Sequence, residues 1–436
     1  MFESEVQIKL MEKLIKALKS SPISDYSINI VHKESVELFY VLNKLETNRA
    51  TNTDEVEVAI FIDKDGKRGR ASFTYFPYMD EEELKEEIAK KIYAASFALN
   101  QYYDIPSKSD VTLDKIESNL KDYTLMEAAH KVVNALLRAK QYDESVFSAT
   151  EIFINKIVTH IINSRGVDLS FTNYQGFVEF IPSWEKDGEE VETYNNIRFS
   201  TLDEEDLVKQ FDECINLTRD RFNAIPLKLN EPVKVIIEGE DVPNYFDFFV
   251  DDLSYRAKYQ HMNRFELNQS TQGDNITGDK LNISLLPSYK GCADSKLFDA
   301  DGVVLKPVEL IKDGIALANH GSFRMGYYLG VKDPTGLLPI IKVEAGKKSF
   351  EEMRKEPYVR CVKFSSFQLE ENSGFFGGEV RLGYYFDGEK EIPVTGFSIA
   401  GNIHEAKSSV IFSKDTEILA DYVGPKYLEI KGMGIN

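Results

Sequence analysis

The feature that most constrains this chain is a pair of alternating apolar runs, VEVAIFI (56–62) and RASFTYF (70–76), set on either side of Asp63-Lys64-Asp65-Gly66-Lys67. A period of two turns one face of each run toward a core, and the glycine between them admits the positive φ of a tight hairpin. Two more β-rich runs, YSINIVHK (26–33) and SVELFYV (35–41), precede them. The expectation is a small antiparallel sheet, and the neighbouring helical patterns say how it is covered. Val6, Leu10, Leu14 and Leu18, with Met11 and Ile15 beside them, recur at helical spacing, and the acidic opening of residues 80–100 leads into Leu84, Ile88, Ile92 and Ala95 on one side.

Farther along, helices are expected over 113–120 and 125–138, strands over 151–162, 167–171 and 176–181, and a long amphipathic helix over 202–221. Thr201 with Glu204 is a capping-box candidate for that last helix. The stretch Ile225-Pro226-Leu227-Lys228-Leu229-Asn230-Glu231-Pro232 then reads as an interdomain connection, because two prolines bracket an extended segment. Beyond it, VKVIIEG is a strand, 242–258 a helix, and most of the remainder strands between glycine turns. The clearest hairpin pairs EVRLGYYF with EIPVTGFSIA across Asp387-Gly388-Glu389-Lys390. The fold class is therefore α+β: an N-terminal α/β domain over 1–225, with an antiparallel sheet and helices, and a β-rich C-terminal domain over 232–436.

Asp and Glu outnumber Lys and Arg by 72 to 52, a net charge of -20, so the long-range field repels phosphate backbones and anionic membranes. Direct nucleic-acid binding and a membrane role are disfavoured. No run of about 18 apolar residues is present to span a bilayer, and the charged, helical first residues do not read as a signal peptide. Cys214, Cys292 and Cys361 are odd in number, far apart and without CxxC spacing, which fits a reducing cytoplasm and buried structural thiols.

Local catalytic chemistry is missing. The histidines (His32, His130, His160, His261, His320 and His404) are never closer than thirty positions, so no helix carries two of them one turn apart to aim at one zinc ion. Neither a GxSxG elbow nor a Walker A sequence occurs, and Cys361 in YVRCVKF has no local base. Gly374-Phe375-Phe376-Gly377-Gly378 precedes a strand rather than a phosphate-cradling helix and reads as a loop or bulge. The segment NYFDFFVDDLSYR sets Asp247 and Asp251 one turn apart, able to share a face toward a cation or an amine, and His261 follows soon after. These three are the cleft candidates. The plainer reading is a core helix whose stripe of Phe246, Phe249, Val250 and Leu253 leaves the acids to solvent. The polar tract 268–279 reads either as a mobile loop able to fold over a ligand or as a plain connection.

Four phrases in order, Asp65-Gly66-Lys67-Arg68-Gly69, Asn163-Ser164-Arg165-Gly166-Val167-Asp168, Phe298-Asp299-Ala300-Asp301-Gly302-Val303 and Pro393 to Asn402 (PVTGFSIAGN), resemble the TldD/PmbA family. That family is also called TldD/TldE, or modulators of DNA gyrase. The resemblance implies an N-terminal α/β domain, a β-rich C-terminal domain, and dimers enclosing a peptide-accessible chamber. It also implies that TldD-type members are zinc metalloproteases with HExxxH on the helix after the strand matching VKVIIEG. Here that window reads Tyr245-Phe246-Asp247-Phe248-Phe249-Val250-Asp251, with no histidine and no glutamate. The chain thus looks like the PmbA/TldE side, which lacks the motif and pairs with a catalytic TldD-type subunit to process or degrade peptides. It is expected to have no catalytic residues and no cofactor of its own, any zinc belonging to a TldD-like partner. The alternatives are a homodimer that binds a peptide or small ligand, and a divergent metallopeptidase using Asp247, Asp251 and His261.

Overall fold

The computed structural model describes residues 5–229, 233–370 and 372–436, with side chains from Met11 onward. The burial of Val6 and Leu10 and the connection residues Asn230 to Pro232 lie outside that description. Helix α1 (Glu5–Ser20) buries Leu14 and Leu18 completely. It is followed by β1 (Asp25–Val41), β2 (Lys44–Lys64), β3 (Lys67–Thr74), α2 (Glu81–Ala95) and β4 (Leu99–Gln101). Then come α3 (Leu125–Arg138), β5 (Ser145–Asn163), β6 (Asp168–Lys186), β7 (Glu189–Glu192), β8 (Asn195–Phe199) and α4 (Glu204–Asn223).

The strands form one sheet in the order β4-β3-β2-β1-β5-β6-β7, with β8 also on β6. The expected hairpin is there. Asp65 and Gly66 both take positive φ (52° and 72°) between β2 and β3, the backbone twist a two-residue turn needs. The pairs of short strands expected from the sequence are in fact single long ones: YSINIVHK and SVELFYV both lie in β1, and 168–171 and 176–181 both in β6, Val167 falling in the turn before it. The polar residues between them keep the ladder because antiparallel pairing with both neighbours continues through them.

One face of this sheet is buried under helices. Ile28, Val58 and Ile60 meet Leu14, Leu18, Leu84 and Ile88 of α1 and α2. Val36, Ile152, Val178 and Phe180 meet Val132, Leu136, Phe211 and Ile215 of α3 and α4. Two starts are reciprocal capping boxes, Asp80 with Glu83 and Thr124 with Glu127. At α4 the cap is Asp203, which accepts from the amides of Glu205 and Asp206, and not the Thr201/Glu204 pair. Residues 113–119 are irregular where a helix was expected; the helical turn starts only at Leu120, whose side chain enters the core.

The second half begins inside a sheet. Strand β9 (Ile225–Pro226) pairs in parallel with Val394 and Thr395, so the proline-bracketed stretch is anchored at its start. Elements β10 (Lys234–Glu238), α5 (Val242–Asp252), α6 (Tyr255–Tyr259), β11 (Ile283–Leu286), β12 (Val308–Lys312), β13 (Ile315–Ala316), α7 (Phe323–Tyr328), β14 (Ile340–Val343) and α8 (Phe350–Met353) follow. The chain continues with β15 (Tyr358–Leu369), β16 (Phe375–Phe386), β17 (Glu391–Thr395), β18 (Phe397–Asn402), α9 (Ile403–Ala406) and β19 (Ile411–Phe412). It ends with β20 (Thr416–Ile418), β21 (Tyr422–Pro425), β22 (Tyr427–Ile430) and β23 (Gly434–Ile435). One sheet runs β19-β22-β10-β15-β16-β17-β9, with β18 on β16 and β23; another runs β13-β12-β11-β14-β21-β20. The architecture is α+β with a β-rich C-terminal half.

Two sequence readings change here. Gly377 and Gly378 lie within β16, not in a loop; a Cβ on either would sit 2.1 Å from a neighbouring strand's carbonyl oxygen, Ile399 O or Ser366 O, so glycine is required by close backbone approach. The tract 268–279 is tied down: the Thr271 amide donates to Gly314 O at 2.8 Å, and buried Gln272 donates to Asp279 O and Lys407 O at 3.0 Å and accepts from the Leu281 amide at 2.8 Å. It is a structural connection rather than a flap.

The halves meet where three of the four sequence phrases converge. Asp25, 4% exposed, accepts from Arg68 Nη2 at 2.9 Å, Ser164 Oγ at 2.6 Å and Arg165 Nε at 2.8 Å. Burial opposes its charge, but the bonds from Arg165 and Ser164 and the nearby guanidinium charges hold the carboxyl below its usual range. Asn163 Oδ1 accepts from the amides of Arg165 and Val167, shaping the turn in which Gly166 takes φ 85°. Val167 and Ile161 then pack on Phe298, whose neighbour Asp299 accepts from the amides of Asp301, Val303 and Leu337. Asn29 Nδ2 donates to Ala300 O, and Tyr328 Oη to Gln101 O at 2.7 Å.

Replacing Arg68, 1% exposed, by Met leaves Asp25 with less compensation in a buried site. The expected loss is about 3–5 kcal/mol of unfolding free energy. Urea titration checks it; a loss below about 1 kcal/mol would contradict the assigned role.

Candidate functional site

Helix α5 starts where β10 ends, after a turn at Gly239 with φ 83°, and has Pro243 near its start. Its inward positions are aromatic. Tyr245, Phe246, Phe248 and Phe249 are buried, with Phe246 stacked on Tyr422 (5.9 Å between ring centres), Phe249 on Phe265 (5.7 Å), and Tyr245 edge-on to Phe376. The helix is wedged between the two C-terminal sheets.

It is shorter than the sequence pattern predicted. The run 242–258 breaks at Leu253 and Ser254, where the chain ending in His320 crosses: the Tyr255 amide donates to His320 O (2.6 Å) and the His320 amide to Leu253 O (3.2 Å). Ser254 then caps α6 by accepting from the Ala257 amide. His320 is buried, its Nε2 is 2.9 Å from Val250 O, and burial lowers its pKa. This histidine serves the helix junction.

The three candidates part company. Asp247 faces a cleft of about 630 Å³ between the two halves of the chain, whose other carboxylates are Asp203, Glu205, Asp206, Glu240 and Asp421. Asp251, exposed, lines a separate hollow of about 290 Å³ with Arg256, Gln260 and Arg264. His261 is exposed, in a left-handed conformation (φ 56°) after α6, and lines neither. Among the described residues no group of three or more His, Cys, Asp and Glu is placed to hold a metal ion. The donors near α5 therefore do not fit a zinc centre, and the inward positions of the helix are filled by aromatic side chains.

The cleft has a charge character that sequence spacing did not reveal. Burial pushes the Asp247 carboxyl up to about 7, with Asp251 and Asp421 adding repulsion. Burial, then Asp294, raises Asp421. Just outside, burial and Glu240 push Asp241 up to about 6. Arg198 is occupied by Asp294, with Nη1 3.1 Å from Oδ2. The apolar part of the wall is Phe199, Leu207, Pro243, Ile341, Ile418 and Tyr422. Such a surface can hold a cation beside apolar groups. No cysteine lines it, and burial pushes Cys214 and Cys292 up to about 12 and raises Cys361 as well.

Sequence reading missed Asp421, Glu240, Asn244 and Arg198, which come from separate elements and share no motif. It also missed Asp252, a helical neighbour of Asp251. Asp252 is buried, accepts from the amides of Arg264 and Phe265 at 2.9 and 2.8 Å, and pairs with the Arg264 guanidinium at 3.2 Å, fixing the loop after α6.

Residues 230–436 match the family described as PmbA/TldA metallopeptidase C-terminal domain. The crystal structure of TldE from Thermococcus kodakarensis superposes with a TM-score of 0.79 at 16% identity, covering 98% of this chain and 99% of that one. A candidate modulator of a DNA gyrase from Thermotoga maritima gives 0.74 at 16% identity, over 98% and 100% of the two chains. Another from Bacteroides thetaiotaomicron gives 0.79 at 12% identity, over the full length of both. These three likenesses are likenesses of fold. No curated protein matches the chain.

Because Asp247 binds its proton more tightly folded than unfolded, ionising it opposes folding: the cost begins above its ordinary value of 3.8 and is complete above about 7. Asp247→Asn is therefore expected to stabilise the protein at pH 8 by on the order of 1–2 kcal/mol, with no gain at pH 4. Thermal melts across that range check it, and a variant less stable than wild type at pH 8 would contradict the environment described.

Proposed function

We propose that the chain, whose residues 230–436 match the PmbA/TldA metallopeptidase C-terminal domain, is a PmbA/TldE-like, non-catalytic subunit of a TldD-type metalloprotease complex that processes or degrades peptides. The observation that carries the reading is helix α5. A zinc helix must present histidines toward a shared cavity, whereas α5 directs Tyr245, Phe246 and Phe249 into a closed aromatic core and offers the cleft Pro243, Asn244 and Asp247, none of them a histidine. The full-length likeness to the Thermococcus kodakarensis TldE supports the same side of the family. Any zinc then belongs to the partner, and this chain contributes walls, charge and substrate contacts.

The same reading divides the chain into an N-terminal domain, 1–225, and a C-terminal domain, 232–436, which agrees with a family match beginning at 230. It places the protein in the cytoplasm, in keeping with three unpaired cysteines; among the described residues no helix is long and apolar enough to cross a membrane. A second reading is a homodimer that binds a peptide or small ligand without a protease, favoured by a cleft of about 630 Å³ lined from this chain alone.

The test is co-expression with a TldD-like relative carrying HExxxH, followed by size-exclusion chromatography, zinc quantification and a peptide-cleavage assay. The expected outcome is a stable complex with metal only in the relative, and cleavage that depends on both chains. A relative fully active alone that never associates with this chain would sink the subunit role.

A further inference from the structure

The cleft runs along a strand edge. Asn196, Ile197, Arg198 and Phe199 all line it, and consecutive strand residues point to opposite faces, so a hollow touching all four lies beside the strand rather than over one face. Strand β8 is bonded on one side to β6, from Asn195 against Phe180 to Phe199 against Gly176. Among the described residues no backbone hydrogen bond leaves 195–199 on the other side, and the next amide, Ser200, donates to Gly291 O at 3.1 Å and closes that end. Unpaired edges are normally blunted or covered, and an extended chain can complete one with main-chain hydrogen bonds.

The wall facing that edge sets the chemistry of what completes it. Asp247 comes from α5, Glu240 from the turn before it, and Asp421 from the turn before β21, while Pro339, Ile341 and Ile418 supply apolar surface. Asp247 has no hydrogen bond or ion pair within the described residues, its neighbours Asp251 and Asp421 being carboxylates. Asp203, Glu205 and Asp206 of α4 line the cleft as well, against Lys209 and an Arg198 already paired with Asp294. An anionic segment is repelled, and a cationic one gains the only charge complement the cleft lacks.

We propose that this cleft captures an extended polypeptide segment bearing an amine or guanidinium, its backbone adding to the free edge of β8 and its cation lying among Asp247, Glu240 and Asp421. The proposal rests on the peptide-handling role above and names the substrate class for it. The cation comes from a lysine- or arginine-type side chain or from the segment's amino terminus. A strand edge reads no side chains, so selection falls on the cation and on small apolar neighbours.

Isothermal titration of the full chain with synthetic octapeptides of alternating small apolar and polar residues tests it. The probes are an N-acetylated peptide with a central lysine, the same peptide with norleucine there, the norleucine peptide with a free amino terminus, and two versions of the lysine peptide N-methylated at alternate residues, one in each register. At pH 8 the better of the two cationic peptides should bind on the order of tenfold or more tighter than the neutral one, and which is better identifies the source of the cation. The preference should shrink below pH 6 as Asp247, set among Asp251, Asp421, Glu240, the α4 acids, Lys209 and Arg198, takes up its proton. Asp247→Asn and Asp421→Asn should each narrow the gap, and N-methylation in one register should remove binding. Equal binding of cationic and neutral peptides, undiminished binding of both N-methylated registers, or no binding at all would overturn the proposal. If peptides fail here while the chain still completes a partner's protease, the subunit role stands and the cleft assignment falls; if peptides bind and no partner associates, the reverse holds.

Discussion

Asp25 is the point on which the two halves of this molecule are registered. A carboxylate so deeply buried is tolerable only if it is paired and hydrogen-bonded, and its partners are Arg68, Ser164 and Arg165. Arg68 is in turn held by Asp63 beside the β2–β3 hairpin, and Arg165 sits in the β5–β6 turn that Asn163 shapes. That turn presents Val167 to Phe298, so a charge cluster inside the first sheet shapes one of the contacts on which the C-terminal half docks. A shift at this joint would move β8 relative to α5, and with it the whole cleft.

The C-terminal half solves a different problem. Two sheets must share one core, and α5 fills the space between them with aromatic rings in stacked and edge-on contacts. A helix used so fully for packing has few positions left for chemistry. Asp247 is one of them, and it meets the cleft because it lies between the aromatic positions of α5. Its raised pKa follows from partial burial next to other acids, a destabilising arrangement that packing elsewhere in the half offsets.

Much of the architecture was legible in the sequence where local physics is decisive. The Asp65-Gly66 hairpin, the helix after the acidic opening at residue 80, α3 and the α5 stripe all appear as read. The misreadings share a cause. Residues 113–119 have helical spacing but no helix, the strand pairs fuse, and 242–258 breaks at a point chosen by His320 from seventy residues away. In each case a distant segment supplied or withheld hydrogen bonds that local periodicity cannot register.

Sequence alone determined the α+β class, the acidic character, the lack of a local zinc motif and the family phrases, because each depends on composition or on residues close together in the chain. Tertiary structure decided that Asp247, Asp251 and His261 do not share a site, since a single helical turn separates the openings that the two acids face. It also decided that Asp247 meets Asp421 and an unpaired edge of β8 across the two halves. Carboxylates from such distant positions become neighbours only when the Asp25 joint and the aromatic core are both in place, and no spacing rule reaches that far.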